Sequence, residues 1–161
     1  MKVLLVGEGA REHAIAEMIR RSPAEPRVYV AASHRNPGLR RLAETTGGRL
    51  HLVKITDPEG VARIAEETSP DLVVIGPEEP LFVGVADTLR SRGFTVFGAG
   101  RRLAEIEKDK VFARELMWRH GIPGRLFFRA FTDLEEALKF IEMAGDVVVK
   151  PARQAGGKGV K

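Results

Sequence analysis

Short apolar runs and amphipathic stretches take turns along the front of the chain. Val3–Val6 is an unbroken apolar run closed by Gly7, the pattern of a strand buried on both faces. Arg11–Arg21 then reads as a helix, with Ala14, Ile15, Met18 and Ile19 on one side. Val28–Ala32 reads as a second strand and Leu50–Val53 as a short third. Asp57-Pro58-Glu59 starts a helix, with Asp as the N-cap and Pro in the first helical position. It runs to Thr68, with Val61, Ile64 and Ala65 inward. Leu72–Ile75 is a strand, Leu81–Arg90 a helix and Thr95–Phe97 a strand. Strands alternating with helices at this spacing predict an α/β fold, a Rossmann-like, doubly wound parallel sheet.

The pattern changes after Gly98. Leu103–His120 is a long helical stretch with a candidate break near Lys108–Asp109, stopped by Gly121-Ile122-Pro123. Leu126–Ala130 reads as a strand, and Thr132-Asp133-Leu134-Glu135 as a capping box opening a helix to about Ala144. Asp146–Lys150 reads as a strand that delivers a lysine into a glycine-rich loop. The expected division is residues 1–98 as a Rossmann-like domain, 99–122 as a helical linker and 123–161 as the start of a second domain. A strand arriving at such a loop needs an outgoing partner. The chain is therefore expected to be the front part of a longer enzyme, inactive alone.

Composition narrows the function. Of 161 residues, 43% are hydrophobic and 30% charged, which suits a globular protein rather than a disordered one. No apolar run reaches membrane length, and the N-terminal one is too short for a signal-peptide core, so a cytoplasmic protein without a membrane partner is expected. Absence of cysteine removes disulfides, thiolate metal sites and cysteine nucleophiles. The net charge of +4 is modest and spread out, which favours anionic small molecules over nucleic acid. Asn36 and Gln154 are the only side-chain amides, a composition that hints at a thermophilic source.

Chemistry gathers at the strand ends. Gly7-Glu8-Gly9-Ala10-Arg11-Glu12-His13 occupies the first strand-to-helix turn, where free helical N–H groups suit an anion. A dinucleotide site would need a small residue in place of Glu12 and an acidic residue ending the second strand, and Val30-Ala31-Ala32-Ser33 supplies none. NAD is disfavoured, and the phosphate of a smaller ligand remains. The plain alternative is a structural turn with Arg11, Glu12 and His13 solvated. Arg35 in the following loop suits a phosphate, Asn36 a hydroxyl or amine, and Glu78 of Gly76-Pro77-Glu78 a ribose hydroxyl or cationic amine. Asn-Pro-Gly and Gly-Pro are also ordinary turn sequences. At the far end, Lys150 and Gly156-Gly157-Lys158-Gly159 offer mobile positive charge and closely approachable backbone N–H groups. Gly159 stands where a Walker A loop needs Ser or Thr. A strand, a lysine and G-G-K-G look instead like the phosphate-covering loop of ATP-grasp ligases.

G-E-G-A-R-E-H-A at Gly7–Ala14, R-N-P-G at Arg35–Gly38, G-P-E at Gly76–Glu78, D-K-x-F-A-R at Asp109–Arg114 and V-V-V-K…G-G-K-G-V at Val147–Val160 occur in that order. Together they resemble the glycinamide ribonucleotide synthetases, the phosphoribosylamine–glycine ligases, over their front part. Glu8 and Ala10 depart from the smaller residues of many members, and S-H-R-N-P-G replaces a shorter G-N-A-G. The resemblance implies a pre-ATP-grasp domain followed by the beginning of an α+β ATP-grasp domain. The implied reaction is ATP-dependent joining of glycine to 5-phosphoribosylamine through a glycyl phosphate, in purine biosynthesis. It implies ATP contacts at Lys110, Lys150, Gly156, Gly157, Lys158 and Gly159. It implies substrate contacts at Gly9, Arg11, Arg35, Asn36, Gly38 and Glu78. Mg2+ would be the cofactor, with metal ligands and catalytic groups beyond Lys161, and the full enzyme would be a monomer. Two alternatives stay open at this point: a non-catalytic nucleotide- or sugar-phosphate-binding module, and an ATP-grasp ligase for another carboxylate.

Overall fold

The computed structural model describes residues 1–153. The chain divides into two compact units, Met1–Ala104 and Glu105–Lys161. In the first, β1 (Lys2–Val6), α1 (Ala10–Arg20), β2 (Arg27–Ala32), α2 (Pro37–Thr45), β3 (Leu50–Leu52), α3 (Pro58–Thr68) and β4 (Leu72–Ile75) follow one another. After them come α4 (Glu79–Phe82), α5 (Val85–Ser91), β5 (Val96–Phe97) and α6 (Arg101–Lys108), whose end carries the chain into the second unit.

The five strands lie in the order β3-β2-β1-β4-β5, all parallel. β1 is central because its side chains are apolar on both faces: Val3 to Val6 are each 1% exposed or less. Burying each such side chain is worth about 1.5–3 kcal/mol. Leu4 and Val6 face Val61, Ala62 and Ala65 of α3 and Val85, Ala86 and Leu89 of α5. Val3 and Leu5 face Ala16 of α1 and Leu39, Leu42 and Ala43 of α2. The period of two along β1 thus supports a helical layer on each face. The chain leaves β1 for β2 and β3 on one side and returns to β4 and β5 on the other. The switch in strand order lies between β1 and β4, and the loops after these strands flank the crevice it creates.

Two helices differ from the sequence pattern. α2 was not anticipated, because Asn36-Pro37-Gly38 reads equally well as a turn. In the structure Asn36 is its N-cap and Pro37 opens it, and Leu39, Leu42 and Ala43 are its buried stripe. The single helix expected over Leu81–Arg90 is two. Gly84 sits at φ 89° and ends the short α4 before α5 begins, a conformation that costs little only for glycine.

His51 on β3 is buried, with Nδ1 3.8 Å from Glu67 Oε2 and Nε2 lacking a hydrogen-bond partner. Burial holds its pKa below the ordinary 6.5; Glu67 pulls it back up and Arg49 pushes it further down. The unfolded chain therefore takes up the proton first. The stability this neutral His contributes is complete above about pH 6.5 and is lost as pH falls through the lower folded value. Urea midpoints should fall between about pH 7.5 and pH 5.5, and a His51→Gln variant should show a flatter dependence.

In the second unit, α7 (Lys110–Arg119) follows a break at Asp109, where the sequence pattern placed one. Gly121, at φ 62°, follows it. α8 (Leu134–Ala144) has Asp133 as its N-cap, one residue later than the expected capping box: its carboxylate accepts the Glu136 N–H at 2.9 Å. Phe131 and Phe127 flank Phe140 of α8 at 5.3 and 6.4 Å between centroids. The strands expected at Leu126–Ala130 and Asp146–Lys150 are not formed. Most of their apolar residues are exposed, Phe127 by 77% and Val148 by 66%, and no backbone hydrogen bond among the described residues joins the two segments. An apolar sequence supplies a strand only where a neighbouring backbone completes its ladder.

Candidate functional site

The β1–α1 and β4–α4 loops meet at the switch in strand order. Gly7 N–H donates to Ala31 O at 2.9 Å and Gly76 N–H to Val6 O at 3.0 Å, so both loops start as continuations of the sheet. Arg11 reaches across: Nη1 donates to Gly76 O at 3.1 Å and lies 3.5 Å from Glu78 Oε2. Three of the residues expected to bind substrate, Gly9, Arg11 and Glu78, are thereby brought to one place.

Glu12 was not foreseen as part of it. Far from being solvated, it is 4% exposed, and its Oε2 accepts the Gly9 N–H at 2.7 Å. The side chain fills the space that glycine leaves on both loops. A Cβ on Gly76 would stand 2.5 Å from Glu12 Oε1, and one on Gly7 would collide with Glu12 Cγ. Its carboxylate occupies the close helix–strand contact that a dinucleotide fingerprint reserves for a small residue, consistent with disfavouring NAD. The available signal was the pair of glycines 69 positions apart, which sequence spacing does not connect.

The β2–α2 loop is stitched to the same region. Glu8 accepts from Ser33 N–H and pairs with His34 Nδ1 at 3.4 Å. Asn36 Nδ2 donates to Glu8 O at 2.9 Å, while its Oδ1 accepts from Gly38 and Leu39 N–H at 3.0 and 3.2 Å. Most of the hydrogen-bonding capacity of Asn36 is thus used in holding the loop. The His13 ring lies over Gly38; a Cβ there would be 2.5 Å from His13 Cε1, so a larger residue would have to push the ring aside. Arg35 is exposed, has no hydrogen-bond or ion-pair partner among the described residues, and lines a surface cavity of about 350 Å³ with Pro37, Arg40, Arg41 and Glu44. Asn36→Ala removes both the cap and the tie to Glu8, and should lower stability by about 1–2 kcal/mol. Asn36→Ser, which keeps an acceptor, should lose less. Thermal unfolding of the two variants checks this order.

The second unit holds a different cluster. Asp109 caps α7, its Oδ1 accepting from Val111 and Phe112 N–H at 2.9 and 3.1 Å, and its Oδ2 accepts from Arg153 Nε at 2.9 Å. Arg153 above all, and then these N–H groups, hold the Asp109 carboxyl below the ordinary carboxylate range. Lys110 donates through Nζ to Pro151 O at 3.2 Å and through its backbone N–H to Ala152 O at 2.9 Å. Segment 151–153 is therefore fastened to the start of α7. Sequence reading singled out Lys110 but assigned no role to Asp109 or Arg153. Lys150 is exposed. Gly156, Gly157, Lys158 and Gly159 lie outside the described residues. Among the described residues no group of three or more His, Cys, Asp or Glu side chains could hold a metal ion. No helix among them is long and apolar enough to cross a membrane.

Both parts of the chain match known families. Residues 1–107 match the family described as phosphoribosylglycinamide synthetase, N domain, and residues 108–161 match its ATP-grasp (A) domain. The chain belongs to the phosphoribosylglycinamide synthetase family. The phosphoribosylamine–glycine ligase of Methanopyrus kandleri is 51% identical over 164 residues, covering 100% of this chain and 35% of that protein. The Pyrococcus horikoshii ligase is 48% identical, covering 100% of this chain and 36% of its own length. The chain spans about a third of the length of these curated relatives. Among solved structures, N5-carboxyaminoimidazole ribonucleotide synthetase from Thermotoga maritima superposes with a TM-score of 0.72 at 19% identity, over 99% of this chain and 40% of that one. Phosphoribosylglycinamide synthetase from Anaerococcus prevotii gives 0.59 at 14% identity, over 86% of this chain and 34% of that one. At these identities the likeness is one of fold. It agrees with the expected succession of a Rossmann-like sheet and the beginning of an ATP-grasp domain.

Proposed function

We propose that this chain supplies the substrate-binding front of an ATP-dependent ligase that joins glycine to 5-phosphoribosylamine, giving glycinamide ribonucleotide in purine biosynthesis. The observation that carries the reading is identity of 51% and 48% to two such ligases across the whole chain. The crevice between β1 and β4 supports it, because loops bearing Gly9, Arg11 and Glu78 converge there and the Asn36–Gly38 loop is tied beside them through Glu8. Within this proposal residues 1–98 form the sugar-phosphate domain, 99–122 a linker and 123–161 the opening of the ATP-grasp domain, in a cytoplasmic, monomeric enzyme.

The chemistry asks for what these residues provide. A carboxylate becomes electrophilic only when one of its oxygens is turned into a leaving group. ATP does this by transferring its γ-phosphoryl group to glycine; the amine then attacks the acyl carbon and phosphate departs. The protein must hold nucleotide phosphates with cations and keep water from the acyl phosphate. We assign the phosphates to Lys110, Lys150 and the Gly156-Gly157-Lys158-Gly159 segment. Arg11 and Glu78 hold the ribosylamine end, Arg35 is offered to its phosphate, and Asn36 and Gly38 shape the loop between them. Mg2+ belongs to the proposed reaction, but the described residues do not form a site that fits it.

A chimera tests the reading. This chain joined to the remaining two-thirds of the Methanopyrus kandleri ligase should release phosphate from ATP only when glycine and phosphoribosylamine are both present, at about 1–10³ s⁻¹. The 161-residue chain alone should show no turnover. A soluble chimera whose phosphate release ignores glycine, or follows another carboxylate, would refute the assignment.

A further inference from the structure

We propose that Glu12 is a specificity determinant of the crevice: it converts the N-terminus of α1 from an anion site into a site for a hydrogen-bond donor. The hydroxyl or amine end of a sugar-phosphate ligand then faces Gly9–Arg11, and its phosphate lies elsewhere. This rests on the sugar-phosphate reading above and reverses the polarity that the glycine-rich turn suggests.

The exposed end of a helix attracts phosphate because about half a positive charge and several free N–H groups gather there. In α1 part of that capacity is answered from within the helix itself. The Glu12 carboxylate sits in the first helical turn, takes the Gly9 N–H through Oε2 and is 4% exposed. It is not a surface side chain that can swing away, since it is wedged against both Gly7 and Gly76. Moving it would displace the loops after β1 and β4 together. Its Oε1 is buried with no hydrogen-bond partner, so an acceptor stands uncompensated directly beneath the crevice. A phosphate brought against the exposed Gly9–Arg11 turn would face this buried carboxylate, and like charges repel the more for one of them being withdrawn from water.

The rim points the same way. Glu78 and Glu8 are half-buried there, and Gly76 O is a third acceptor; the Arg11 guanidinium is engaged with Gly76 O and Glu78. Of the three carboxylates near these loops, Glu78 pairs with Arg11, Glu12 with the Gly9 N–H, and Glu8 with Ser33 N–H and His34. Such a rim binds donors, hydroxyl or amine, through charge-assisted hydrogen bonds. On the α2 side Arg35 has no partner among the described residues and stays available to the phosphate end.

The test uses the ¹⁵N-labelled 161-residue chain with two probes, inorganic phosphate and glycinamide ribonucleotide. In the wild type, glycinamide ribonucleotide should shift the Gly9, Ala10, Arg11 and Glu78 amides, and phosphate should leave Gly9–Arg11 unmoved. In Glu12→Gln, phosphate affinity read at Gly9–Arg11 should rise about three- to thirty-fold. Equal phosphate affinity at Gly9–Arg11 in both proteins would overturn the proposal. If Glu12→Gln does not fold, the wild type decides: a saturable phosphate shift at Gly9–Arg11 overturns it, and no shift upholds it. If glycinamide ribonucleotide fails to bind while Glu12→Gln still gains phosphate, the sugar-phosphate reading falls and the effect of Glu12 stands.

Discussion

Replacing Leu5 with Ala should destabilise the sheet unit by about 2–5 kcal/mol, a large share of the 5–15 kcal/mol that holds an ordinary domain together. Leu5 is fully buried in the central strand, paired in register with Val30 of β2 and Val74 of β4. Its side chain meets α1 and α2 through Ala16, Leu39, Leu42 and Ala43. Truncation loses the transfer energy of the missing atoms and leaves a cavity that strands held on both sides cannot close. The same strand ends in Gly7, so the crevice loops should lose hydrogen-exchange protection together with the sheet. Urea unfolding should show a lower midpoint with an unchanged slope. A loss below about 1 kcal/mol would show that α1 and α2 collapse freely onto the gap, contrary to the packing described.

Gly76→Ala should cost about 1–3 kcal/mol and disturb the crevice at the same time. The new methyl group would lie 2.5 Å from Glu12 Oε1 and 2.6 Å from Glu12 Cγ, inside van der Waals contact. Glu12 is fixed by its bond to Gly9 N–H, so the strain passes to the Gly76 carbonyl and to the Arg11 and Glu78 contacts beside it. A double-mutant cycle isolates this cause. Glu12→Ala alone should be destabilising, because Gly9 N–H loses its acceptor and a void opens. The double variant should be more stable than the sum of the two losses implies, with a coupling of about 0.5–3 kcal/mol. Strict additivity would show that Gly76 is glycine for a reason unrelated to Glu12.

How far the sequence reached can be judged from particular residues. The strands at Val3–Val6, Val28–Ala32 and Leu72–Ile75 were legible because each is an apolar run bounded by turn residues. The α3 start was legible from Asp57-Pro58, yet the same grammar in Asn36-Pro37 passed as a turn because Gly38 follows. The choice depended on Leu39, Leu42 and Ala43 finding the sheet face opposite Val3 and Leu5. Leu126–Ala130 and Asp146–Lys150 carried strand composition but met no partner backbone among the described residues, and composition cannot supply one. The break before α7 was legible, and Asp109 explains it as a cap, while its pairing with Arg153 was not.

By itself, then, the sequence determined the succession of strands and helices, the parallel sheet that this succession requires and the ordered motifs that resemble one ligase family. The strands and helices themselves are local: they depend on residues two to four positions apart, whose spacing sets which face of a strand or helix they share. Only the tertiary structure decided the order β3-β2-β1-β4-β5, the meeting of Arg11 with Glu78 across 67 positions, and the burial of Glu12 between Gly7 and Gly76. Those depend on which side of β1 the chain takes after each helix. A polar side chain at a helix start is drawn as readily toward water as toward a neighbouring loop, and here it is the empty space left by two glycines on different loops that draws Glu12 inward.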